Sequence, residues 1–283
     1  MTDDYYMSSR GLRRAALAIT AAAAAGLAGV AAAPAAVAHP IGHLSAADAL
    51  WMPNPTKIPA LTVSSPAAAT TAPTTVRLAA LTSASYRFSS ILDGAPVRWN
   101  PCQAIHWRAN VARGPVGGLD VLKAAVAHIA GTTGTTWVYD GVTLTVPSTA
   151  YLPTTPTNIN KPVVIGWTDG TASDLLRGKP AQVLGMTRTT WFGVDDGMGH
   201  RAAATRAAVV ALDRTDNLPL RGAQSWSATA LHELGHVMGL DHPADTRQLM
   251  AAILPNVATL QAGDNTGLVR LGRSAGCVVI PGT

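Results

Sequence analysis

The chain has 283 residues, 48% hydrophobic and 13% charged, which suits one packed domain with appendages and excludes fibrous and broadly disordered classes. Its formal net charge is +5, of which residues 1–38 carry +1 (three Arg against two Asp), leaving about +4 on the remainder. No run of Lys or Arg with interleaved aromatics occurs, so a phosphate-neutralising face is not expected, and neither is nucleic acid as a partner.

In chain order, the first feature reads as an export signal. Arg10, Arg13 and Arg14 make a positive start, residues 15–33 are Ala-rich and apolar, and Ala36-Val37-Ala38 is a small-residue cleavage site before His39. The expectation is a secreted protein that loses residues 1–38 and has no stable membrane association afterwards. The alternative is an uncleaved anchor, against which the weak hydrophobicity of Ala and Gly argues. Residues 39–84 are rich in Pro, Ala, Ser and Thr without a sustained period, the composition of a linker or propeptide. From Tyr86 onward apolar runs alternate with Gly, Pro, Asn and Asp, so the folded domain is expected over residues 85–283, acting as a monomer.

Within that domain, residues 104–111 read as a strand and residues 119–130 as a helix, with Val121, Leu122, Ala125, Val126 and Ile129 on one face and Gly131 ending it. Further strands are expected near residues 136–139, 162–168, 182–192 and 206–213. A second helix starts at Ser225 or Ser227, whose hydroxyls suit an N-cap, and stops at Gly239. A short helix over residues 264–271 closes the series. This order predicts an α+β (α/β-type) sandwich, a twisted five-stranded sheet packed on two helices with a short C-terminal helix. Cys102 and Cys277 are the only cysteines and bracket the folded region, so in an exported protein they are expected to form a disulfide.

Residues 232–242 read HELGHVMGLDH. On a helix, His232 and His236 share a face and reach one ion; Gly239 permits the left-handed turn that brings His242 back as third ligand, leaving a fourth position for water. Glu233 stands beside the ligands. It is also the only glutamate in a chain whose other acidic residues are aspartates, which points to a need for the longer side chain. Average residue usage would place this pattern in such a chain roughly once in 10⁵ sequences.

The extended motif, followed by Met250, resembles the metzincins and specifically the matrixin branch of matrix-metalloproteinase-like enzymes. Gly263 to Leu268 (GDNTGL) resembles the matrixin C-terminal helix, and PVRWNPC (Pro96 to Cys102) with SAGC (Ser274 to Cys277) resembles secreted bacterial matrixin-like proteins, so the resemblance covers about residues 86–278. It implies a metzincin-like fold and a zinc-dependent endopeptidase acting on polypeptide substrates. By the same resemblance His232, His236 and His242 hold zinc, Glu233 is the general base, and Met250 lies in a turn beneath the site. The substrate chain would pair with an exposed sheet edge, expected at residues 182–192. No Tyr closely follows Met250, so the extra tyrosine ligand of astacin-like metzincins is not expected. Asp241 either orients a ligand or serves as a cap or surface group.

One zinc per chain is expected. Beyond the three ligands, His39 and His43 precede the domain, and His106, His128 and His200 are scattered over different elements. Asp195, Asp196 and His200 are the place where calcium would suit loop oxygens, against a plain surface role. Two rival classes share these features: a non-proteolytic zinc hydrolase, and a secreted binding module on an inactive fold.

Overall fold

The computed structural model describes residues 5–8, 84–155, 157, 159–195 and 201–278. Most of the expected export signal and the Pro/Ala/Thr-rich segment lie outside the described residues. The strands are β1 (Tyr5–Ser8), β2 (Arg87–Phe88), β3 (Ile91–Leu92), β4 (Ala95–Pro96), β5 (Ile105–Asn110), β6 (Trp137–Val142), β7 (Val163–Thr168), β8 (Val183–Asp195), β9 (Arg201–Asp213) and β10 (Leu240–Asp241). The helices are α1 (Gly118–Thr133), α2 (Trp226–Met238) and α3 (Ala262–Leu271).

The main sheet has the order β1-β8-β9-β7-β5-β6. Strands β6, β5, β7 and β9 run parallel, and β8 returns antiparallel to β9. Sequence and position agree here. Central β7 (VVIGWT) is buried along its whole length and is almost uninterruptedly apolar, whereas edge strand β6 alternates between half-buried and exposed. One sheet face packs Trp107, Ile165, Val210 and Leu212 against Leu122 and Ile129 of α1 and Leu234 of α2. The opposite face packs Val164, Met186 and Val209 under Leu175 and Leu176. This is the expected α+β architecture, with β5 to β9 as the mixed five-stranded sheet.

Three expectations need correction. Gly131 does not end α1; the helix runs on to a left-handed Gly134 (φ 67°), whose N–H reaches Ala130 O. Burial of Thr133 on the packed face outweighs the propensity penalty of an interior glycine, about 1 kcal/mol. Strand β9 starts at Arg201 rather than near residue 206, because pairing with β8 recruits Ala202, Ala203 and Ala204, whose own strand propensity is low. Residues 182–192 do supply the edge strand of the five-stranded sheet, but that edge is covered by β1, with Tyr5 opposite Thr187 and Tyr6 opposite Met186. An edge strand offers unpaired N–H and C=O groups that template another extended segment, a relation invisible to a reading that placed residues 5–8 only as the start of a signal.

Cys102 and Cys277 form a disulfide spanning 175 positions of sequence. Around it Arg98 Nη2 donates to the Ala275 and Gly276 carbonyls, and Val278 N–H donates to Asn100 Oδ1, so residues 275–278 are fastened to residues 98–102. Among the described residues, no helix is long and apolar enough to cross a membrane.

Candidate metal centre

Helix α2 is set at both ends by the residues its sequence supplies. Ser225 takes an extended conformation and its Oγ accepts the Ala228 N–H at 3.2 Å. At the other end Gly239 adopts φ 112° and its N–H reaches the Gly235 and His236 carbonyls. The chain then reverses into β10, which pairs with β2 and delivers His242 to the helix face bearing His232 and His236.

One nitrogen from each imidazole lies within 4.8 Å of the other two. The His232 Nδ1 lies 2.7 Å from Leu249 O and the His236 Nδ1 lies 2.8 Å from Leu240 O. A carbonyl only accepts, so in each ring Nδ1 carries the proton and Nε2 a bare lone pair. Yet His232 Nε2 is 3.0 Å from His236 Nε2 and 3.3 Å from His242 Nε2. Ring nitrogens converging so closely could hold a metal ion between them. Ligands about 2.0–2.1 Å from a tetrahedral zinc stand roughly 3.3 Å apart, so the donor set fits. Burial holds His232 and His236 well below the ordinary imidazole range and lowers His242 to about 4, with the Arg87 charge adding to the effect on His242. Neutral rings are the form that binds metal.

Glu233 is fully buried beside this cluster. Its Oε2 accepts the Thr187 hydroxyl at 2.7 Å, while Oε1 has no hydrogen-bond partner. Strand β8 comes so close that a Cβ on Gly185 would stand 2.9 Å from Glu233 Oε1. Burial pushes the carboxyl up to about 8, and the Thr187 hydrogen bond pulls it the other way. A divalent cation nearby favours the carboxylate.

The floor is built from Met250, 1% exposed, which packs so tightly under α2 that a Cβ on Gly235 would collide with its Sδ. The turn carrying it hangs on buried Asp264. Its carboxylate accepts the N–H groups of Leu249 (2.8 Å), Met250 (3.3 Å) and Gln261 (2.8 Å).

The fold therefore brings His232, Glu233, His236, Gly239, His242 and Met250 together and leaves Cys102 and Cys277 at the C-terminal fastening. Asp241 Oδ1 accepts the His242 backbone N–H, and its Oδ2 pairs with Arg87 Nε at 2.9 Å, so it holds the chain at the third ligand through the backbone. His106 pairs with Asp140 across β5 and β6, and His128 is exposed on α1. His200, Asp196 and the side chain of Asp195 lie outside the described residues. Sequence reasoning missed Thr187 and Gly185, because nothing local marks a strand residue as the neighbour of a side chain 46 positions away. The sequence marks Asp264 as part of a family-like helix, but not its contacts with the Met250 turn.

His232 and His236 on α2, with His242 brought back beyond β10 and one buried carboxylate beside them, form a group that could hold a metal ion. The matrixin family model matches residues 147–271, which supports a matrixin-like metzincin peptidase, a zinc-dependent class. The match runs from before β7 to the end of α3 and contains the triad, Met250 and residues 263–268. No curated protein matches the chain.

Proposed function

We propose that the protein is a secreted zinc-dependent endopeptidase whose single zinc is held by His232, His236 and His242 and whose general base is Glu233. The observation that carries this reading is the convergence of three imidazole nitrogens beside a carboxyl group with one oxygen held and the other without a hydrogen-bond partner. A zinc ion bound there would supply Lewis acidity, acidifying water and polarising a peptide carbonyl. Glu233 Oε1 then takes the proton of the attacking water and, as general acid, returns one to the leaving amine. Secretion is supported by the charged, Ala-rich start of the sequence and by the disulfide.

The test is hydrolysis of denatured protein by the dialysed protein, with and without a chelator, with elemental analysis expected to give one zinc per chain. Glu233→Ala should keep the zinc but lower turnover by on the order of 10² to 10⁴. A variant as active as the unmutated protein would remove Glu233 from the reaction. Zinc-loaded protein inert toward polypeptides would favour the rival readings.

A further inference from the structure

We propose that Thr187, on the edge strand beside the metal centre, is a positioning residue that holds one oxygen of the Glu233 carboxylate and so leaves the other aimed at the attacking water. The inference rests on the peptidase reading above and adds to it a residue outside the metal motif.

The two oxygens of Glu233 are treated unequally. Both are buried, yet Oε2 receives the Thr187 hydroxyl at 2.7 Å and Oε1 receives nothing. The same hydroxyl lies 3.1 Å from the Glu233 backbone carbonyl, but a hydroxyl has one proton to donate. That carbonyl, inside α2, already has the helical N–H four residues on as a donor. The shorter contact, 2.7 Å to the carboxyl oxygen against 3.1 Å to the carbonyl, therefore takes the proton. Thr187 itself has no freedom to turn away, since it is fully buried on a strand whose backbone pairs with β9, with Val210 opposite. Its β-branched side chain is stiff about χ1.

Gly185, two residues earlier on the same face of β8, completes the arrangement by absence. A Cβ there would stand 2.9–3.0 Å from Oε1, Cδ and Cγ of Glu233. The strand thus supplies a donor at one position and clearance at the next. The carboxylate lies in the slot between them with its unpartnered oxygen on the Gly185 side. A base working through one oxygen gains from having the other fixed, because misplacement by about 1 Å costs on the order of a hundredfold in rate. A hydroxyl that merely satisfied a buried acid would affect folding; one that aims the acid affects turnover.

The experiment compares Thr187→Val, which keeps the shape and removes the donor, with Thr187→Ser, which keeps the donor, both loaded with zinc. Thr187→Val should lose about tenfold to a hundredfold in kcat, with KM within about twofold and zinc per chain unchanged, and Thr187→Ser should recover most of it. A second readout does not use activity. Glu233 is the only glutamate, so protein labelled with carboxyl-¹³C glutamate gives a single side-chain carboxyl resonance to follow. That resonance should move in Thr187→Val and stay in Thr187→Ser. A kcat for Thr187→Val within twofold of the unmutated value, or an unmoved resonance, overturns the proposal. Should Thr187→Val not fold, Thr187→Ala is read by the same criteria. If the unmutated protein hydrolyses no polypeptide, the peptidase reading fails separately, and the resonance alone decides whether Thr187 holds the carboxylate.

Discussion

Asp264 shows how much of a candidate metal centre depends on a side chain outside the His triad. It is fully buried, and burial raises its pKa against the pull of the three backbone N–H groups it accepts. Asp264→Ala strands the buried N–H groups of Leu249 and Met250, at about 1–3 kcal/mol each, while the half-buried Gln261 N–H can turn to water. We expect a total loss of at least about 2 kcal/mol in urea unfolding, and a smaller one for Asp264→Asn, which keeps an acceptor. A loss under about 1 kcal/mol for the alanine variant would mean that the turn stands without the carboxylate. At this scale, legibility followed sequence distance. His232 and His236 were readable because four residues of helix fix their geometry, and His242 because a glycine turn follows directly. Thr187, Gly185 and Asp264 act across folds of the chain, where no spacing rule reaches.

Two glycines in two helices illustrate the same limit for elements. Gly239 was legible as a helix stop, and it takes φ 112° with Val97 O only 3.0 Å from where a Cβ would stand. Gly131 was read the same way, but it lies inside α1 with open space beside it. One substitution should therefore have opposite signs. Gly239→Ala is expected to destabilise by about 1–3 kcal/mol and, by displacing His242, to weaken zinc retention against a competing chelator. Gly131→Ala should stabilise by about 0.4–1 kcal/mol and leave zinc retention unchanged. Thermal or urea unfolding of the pair decides it, and a stabilised Gly239→Ala would contradict the strained turn. Strand β9 went partly unread for a related reason. Its first residues (RAAATR) lack strand character of their own and are extended by their partner β8.

For the whole molecule, alternation of apolar runs with helical periods was enough to specify a sheet on two helices, since each element must bury one face. The order of strands, and the pairing of residues 5–8 with β8, are properties of assembly that local pattern does not encode. The cysteine pair was legible because it was the only one. Alkylation without reduction should label neither Cys102 nor Cys277, and reducing the bond should cost up to about 5 kcal/mol by chain entropy, or less where the unfolded chain retains structure. Two labelled thiols in unreduced protein would rule the bond out.

The bond also changes what damage looks like. Between residues 102 and 277 the backbone is a closed ring, 175 positions around, that encloses β5 through α3. A single nick at a surface loop within it opens the ring without releasing a fragment. The product is heavier by one water and otherwise keeps its composition. On a non-reducing gel nicked and intact molecules would therefore run as near neighbours, and only a reductant would reveal how many had been cut.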